Sequence, residues 1–170
     1  MVPRTWLKRA RIPDLRAQVS AMCAELELKP PFEAESLAAK IAKARDYVIE
    51  IEPHPMIGQA VSGSVHPFHG GIFIIYYNRD VPRLLRELII YHELAHIWLQ
   101  HVTPESKRVP CGDTFITLTT PHQDAEAEEW ARYVAAYAQI LIGRDLAERL
   151  DRTGAQRFSR YGKMLSHFEV

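Results

Sequence analysis

The sequence predicts an α+β domain: a small twisted sheet of about three strands, packed against two long helices and preceded by shorter ones. Three observations lead there. Residues 14–45 carry apolar side chains at helical spacing. Residues 47–77 switch to β-rich runs separated by Pro and Gly. From residue 81 the helical period returns, and the first of these later stretches holds His92-Glu93-Leu94-Ala95-His96, an H-E-x-x-H motif.

At 170 residues, the chain is sized for one domain with a proper core. We read it as a basic arm (1–13), a helical part (14–45), a core carrying the motif (46–142) and a C-terminal helical segment (143–170). Lys and Arg number 21 and Asp and Glu number 21, for a formal net charge of zero. That balance argues against direct nucleic-acid binding, and the cluster Arg4, Lys8, Arg9 and Arg11 reads as a solvated arm. Two cysteines make no disulfide framework. Cys23 reads as a small core residue, and Cys111 as a residue of the turn-like Pro110-Cys111-Gly112-Asp113. With no signal-peptide pattern and no apolar run long enough for a membrane span, the expected location is the cytoplasm, away from membranes.

Asp14 can cap a first helix over about 15–28, with Leu15, Val19, Met22 and Leu26 on its apolar side and Pro30-Pro31 beyond its end. A second helix spans about 34–45, with Leu37 and Ile41 inward. Residues 47–52 read as a strand ended by Pro53 and Pro55. Residues 60–65 form a weaker strand candidate, broken by Gly63. Gly70-Gly71 opens the strongest strand, Ile72-Phe73-Ile74-Ile75-Tyr76-Tyr77, whose continuous apolar run predicts burial on both faces. After a turn at 78–80, Asp80 can cap a helix over about 81–101 with Pro82 in its first turn. Residues 102–123 read as a long loop containing a short strand at 114–118, and a further helix follows from Asp124 to about Ile142.

On a helix, residues four apart share a face, so His92 and His96 can aim two imidazoles at one metal ion. Glu93, about 100° round the helix, stands beside that ion, where a general base belongs. Zinc lowers the pKa of a coordinated water to about 7, which makes a nucleophile available at neutral pH. The two histidines continue the stripe of Leu85, Ile89, Ala95 and Leu99, and two at this spacing with a glutamate between them favour a metal over ordinary core histidines.

The third ligand is sought on the last helix. Stepping about 100° per residue from Asp124 puts Glu128 within roughly 40° of it and Ala131, Ala135 and Ile142 within roughly 20°. Asp124 and Glu128 therefore share the inward face, while Glu126 and Glu129 project opposite with Tyr133 and suit the helix dipole. Asp124 is the first choice as ligand, with Glu128 as an acceptor for a ligand imidazole; the reverse assignment stays open. His101 projects to the far side of a continuous helix and is a poor ligand. His122 can reach the metal or donate to a developing oxyanion. His66-Pro67-Phe68-His69 reads as a turn rather than a second site, and His54 and His167 have no evident partner.

Over roughly 72–138 the chain resembles the ImmA/IrrE family of zinc metallopeptidases. The resemblance rests on the strand ending in Asn78, the helix with His92-Glu93-Leu94-Ala95-His96, the trailing His101 and the later helix. The family's E-x-x-A-N-x-F-A is here Asp124-Ala125-Glu126-Ala127-Glu128-Glu129-Trp130-Ala131. This implies a gluzincin-like, zincin-type fold with one Zn²⁺ on His92, His96 and a later acid, and Glu93 as catalytic base. The family's glutamate ligand falls on Asp124, one methylene shorter, so either the two helices approach more closely or the metal binds less tightly; its Asn falls on Glu128, which adds a negative charge near the site.

The expected function is a zinc-dependent endopeptidase. The resemblance adds a regulatory protein substrate, repressor- or antitoxin-like. The alternative, suggested by Asp124 and Glu128, is a catalytically weak or inactive zincin-scaffold binding protein. A zinc hydrolase acting on a non-peptide bond would use the same residues.

Overall fold

The structure is a computed structural model that describes residues 14–55, 62–111 and 114–138. The basic arm, residues 60–61 of the weaker strand candidate, the last helix beyond residue 138, the C-terminal helical segment and His167 lie outside the described residues. No helix among the described residues is long and apolar enough to cross a membrane.

Helix α1 spans Leu15–Glu25, and the Asp14 carboxylate accepts the Ala17 N–H as its N-cap. It buries Leu15, Val19, Met22 and Cys23. The helix stops short of Leu28 because Glu27 adopts a left-handed φ of 53°, yet Leu26 and Leu28 still turn into the core. Burial pushes the Cys23 thiol up to about 11, as befits a core residue. Helix α2, Ala34–Arg45, has no side-chain cap of its own. Its first N–H, on Ala34, instead donates to the buried carboxylate of Glu87 at 2.7 Å, 53 residues away.

Strands β1 (Val48–His54), β2 (Gly63–Phe68) and β3 (Ile72–Asn78) form a mixed sheet in the order β1-β3-β2. β1 runs parallel and β2 antiparallel to β3. Pro53 does not end β1; it pairs opposite Tyr77. β1 is an edge strand, where half the N–H groups point away from the ladder and a proline is tolerated. The same holds for Pro67 in β2, so Gly63 begins this strand rather than breaking it, and the expected turn at 66–69 is largely strand. The reversal falls on Gly70 and Gly71, whose φ values are 81° and 76°. Central β3 is buried on one face only: Phe73 and Ile75 are inaccessible, whereas Ile74 and Tyr76 are half-buried on the other.

Helix α3, Arg83–Trp98, is buried along nearly its whole length and packs on α2, β2 and β3. Its N-cap is Pro82; Asp80 does not cap it, and its N–H instead donates to Asn78 Oδ1. The helix ends three residues earlier than expected, at Trp98, with Gln100 left-handed at φ 59°. The following stretch holds a hairpin of β4 (Arg108–Cys111) and β5 (Thr114–Thr117), with β5 lying beside β2. Helix α4, Pro121–Tyr137, starts three residues before Asp124 with a capping box of Thr120 and Gln123. Its inward face is Ala127, Trp130, Ala131, Val134 and Ala135, packed on α3. Alanines there let the two helix axes come close.

Candidate metal centre

Two turns of α3 and the first turn of α4 meet at the floor of a cleft. His92, Glu93 and His96 are only 3%, 5% and 2% exposed. Carbon-rich surroundings alone would not keep three such groups there; they need polar or cationic partners. The Nε2 atoms of His92 and His96 lie 3.1 Å apart. Asp124 Oδ1 stands 3.6 Å from His96 Nε2, and accepts the Thr119 hydroxyl at 2.6 Å. One ligand atom from each of His92, His96 and Asp124 falls within 4.8 Å of the others.

This donor set fits a small divalent ion. Four ligands at about 2.05 Å in a tetrahedron are separated by roughly 3.3 Å. Two of the three spacings, 3.1 and 3.6 Å, bracket that value, and the third is within 4.8 Å. Two imidazoles and one carboxylate leave room for a fourth ligand, and the cleft supplies the space. It encloses about 200 Å³, with Gly63, Ser64 and Val65 on one wall and Thr117, Leu118 and Thr119 on the other. The shorter Asp124 side chain reaches the histidines because α4 lies close on α3.

Local sequence explains the walls. A Cβ on Gly63 would stand 2.4 Å from Ile89 Cγ2, so only glycine lets β2 approach α3 here. Ser64 Oγ is within 2.9 Å of His66 Nε2. His66 is buried and packs edge-on against Tyr76, which also receives the His54 ring. Burial, then the nearby Arg108 and His54, hold the His66 imidazole below its ordinary pKa and so keep it neutral.

The expected site residues fall as follows. His92, Glu93, His96 and Asp124 are brought together at the cleft. Glu128 is half-buried one turn beyond Asp124 and is not part of the metal-capable group among the described residues. His122 is exposed on the first turn of α4 and does not line the cleft. His101 does not project to the far side of a continuous helix. Because α3 stops at Trp98, the chain folds back, and His101 Nδ1 comes within 3.1 Å of His96 Nδ1. Nor does Glu126 face away from the site: its Oε2 is 3.2 Å from His101 Nε2. Sequence reasoning missed Thr119, which orients Asp124; a threonine ahead of a helix cap carries no distinguishing pattern.

A family model described as the IrrE N-terminal-like domain, Peptidase_M78, matches residues 44–170. No curated protein and no solved structure matches the chain. The matched span contains the whole three-stranded sheet, α3, α4 and every member of the histidine–aspartate group, an α+β arrangement of zincin type. The family is one of peptidase-like hydrolases, with a site here that can hold a metal ion. The chain belongs to the IrrE N-terminal-like domain family of M78 peptidases.

Proposed function

We propose that this protein is a zinc-dependent endopeptidase, with the ion held by His92, His96 and Asp124 and with Glu93 as general base. The observation that carries the reading is the placement of a nearly inaccessible carboxylate, Glu93, at the floor of an open cleft beside two converging imidazoles. An ion held by His92, His96 and Asp124 would supply Lewis acidity to a peptide carbonyl and to a water molecule. Glu93 takes the proton released during attack on the carbonyl and delivers it to the departing amine. Asp124 takes the third ligand position rather than Glu128, because its oxygen is the one beside His96 Nε2.

β2 is the sheet's edge strand and one wall of the cleft, with no ladder partner on its outer side among the described residues. An extended peptide laid in the cleft between this strand and Thr117, Leu118 and Thr119 would add to the sheet as a further strand. The substrate of this reading is a regulatory protein, repressor- or antitoxin-like, in the cytoplasm; the ImmA/IrrE resemblance supports that choice. The test compares the wild type with Glu93→Gln on a pool of unstructured peptides read by mass spectrometry. The variant should retain zinc and lose cleavage; cleavage retained would remove Glu93 from its role.

A further inference from the structure

We propose that His101 is a positioning residue that fixes the tautomer of His96, and that Glu126 in turn fixes His101. The inference deepens the reading above and rests on His96 being a ligand through Nε2. A neutral imidazole has one N–H and one lone pair. For Nε2 to offer its lone pair to an ion, the proton must sit on Nδ1 and needs an acceptor.

Two contacts in a row define that acceptor. His96 Nδ1 lies 3.1 Å from His101 Nδ1, and His101 Nε2 lies 3.2 Å from Glu126 Oε2. An ionised carboxylate only accepts. Glu126 therefore selects the Nε2–H tautomer of His101, which leaves a lone pair on His101 Nδ1. That lone pair accepts the Nδ1–H of His96, and the Nε2 lone pair of His96 is left facing His92. The His96 and His101 side chains are 3% and 7% exposed, so solvent is a poor substitute for either partner. Asp124 Oδ1, at 3.6 Å from His96 Nε2, lies beyond hydrogen-bond reach, so the carboxylate within reach, Glu126 at 3.2 Å from His101 Nε2, sets the polarity of the chain.

The chain's own geometry delivers His101 to this place. Gln100 takes a left-handed φ of 59°, and the Val102 N–H donates back to the His96 carbonyl at 3.1 Å. The reversal thereby pins the segment just after α3 onto the turn that carries His96.

The decisive measurement is two-dimensional ¹⁵N–¹H NMR of the imidazoles in the metal-free, full-length protein at neutral pH. The expected result is His96 as the Nδ1–H tautomer and His101 as the Nε2–H tautomer, with His96 in His101→Ala shifting toward Nε2–H. His96 as Nε2–H in the wild type, or His101 carrying both protons, would overturn the proposal. Zinc affinity, measured by chelator competition, gives a second reading without reference to activity. His101→Ala should bind zinc about 10- to 100-fold more weakly. His101→Asn, whose Oδ1 can replace the Nδ1 acceptor, should stay within about threefold of wild type. Wild-type affinity in His101→Ala would also overturn it. A wild type that binds no zinc would sink the metallopeptidase reading instead, while the NMR tautomers would still decide the proposal.

Discussion

Gly63 on β2 faces Glu93 on α3 so closely that a Cβ at the glycine would lie 3.1 Å from Glu93 Oε1. The position beside the proposed base is therefore shaped by a missing side chain. Gly63→Ala must push on Ile89 as well, whose Cγ2 would be only 2.4 Å away. The expected outcome is a loss of about 1–3 kcal/mol in denaturant unfolding, from overpacking, together with at least a tenfold fall in cleavage as Glu93 is displaced. A variant as stable and as active as the wild type would show that β2 and α3 are not in this register.

Thr119→Val should weaken zinc by about 10- to 100-fold while leaving the ligand trio intact. The reason is the 2.6 Å hydrogen bond from the Thr119 hydroxyl to Asp124 Oδ1, which holds the carboxylate toward His96. Chelator competition reads the change. Thr119→Ser, which keeps the hydroxyl, should recover most of the affinity.

Glu87→Ala should destabilise the fold without touching the metal. It removes the buried carboxylate that accepts the Ala34 N–H and contacts Arg86, leaving the start of α2 uncapped. Loss of a buried, charge-assisted hydrogen bond costs about 1.5–3 kcal/mol. Urea unfolding should show that loss, and zinc content should remain as in the wild type.

Acid should unfold the protein more readily because of His66. Its folded pKa is lowered, by burial first and then by Arg108 and His54. The unfolded imidazole takes up a proton near pH 6.5 while the folded one stays neutral, so the contribution of His66 is full above about pH 6.5 and declines as pH falls toward its folded pKa. The difference in melting temperature between pH 7.5 and pH 5.5 should shrink in His66→Gln. An unchanged difference would remove His66 as a source of acid sensitivity.

Much of this arrangement is legible in the sequence because it follows from helix periodicity. His92 and His96 share a face by spacing, and projection along the last helix turns Asp124 toward them. The helix ends are not legible in the same way. Trp98-Leu99-Gln100-His101 keeps an apolar rhythm with no Gly or Pro, and the stop comes from a left-handed glutamine. That one conformation moves His101 from the far side of a helix to the back of His96 and makes Glu126 its neighbour. The strands were obscured by prolines. Pro53 reads as a strand end and Pro67 as part of a turn until the strand order places both on sheet edges, and Pro110 lies in β4, within the expected long loop. The cap of α4 was present as Thr120-Pro121-His122-Gln123, a capping box hidden by reading the helix from its first carboxylate.

The central claim is that α3 and α4 together hold a zinc ion. Anomalous diffraction at the zinc edge, from crystals of the full chain grown with zinc, tests it most directly. The expected result is a single ion within about 2.3 Å of His92 Nε2, His96 Nε2 and an Asp124 carboxylate oxygen, with a fourth position open to the cleft. An ion bound by other residues, with none at this trio, would contradict it.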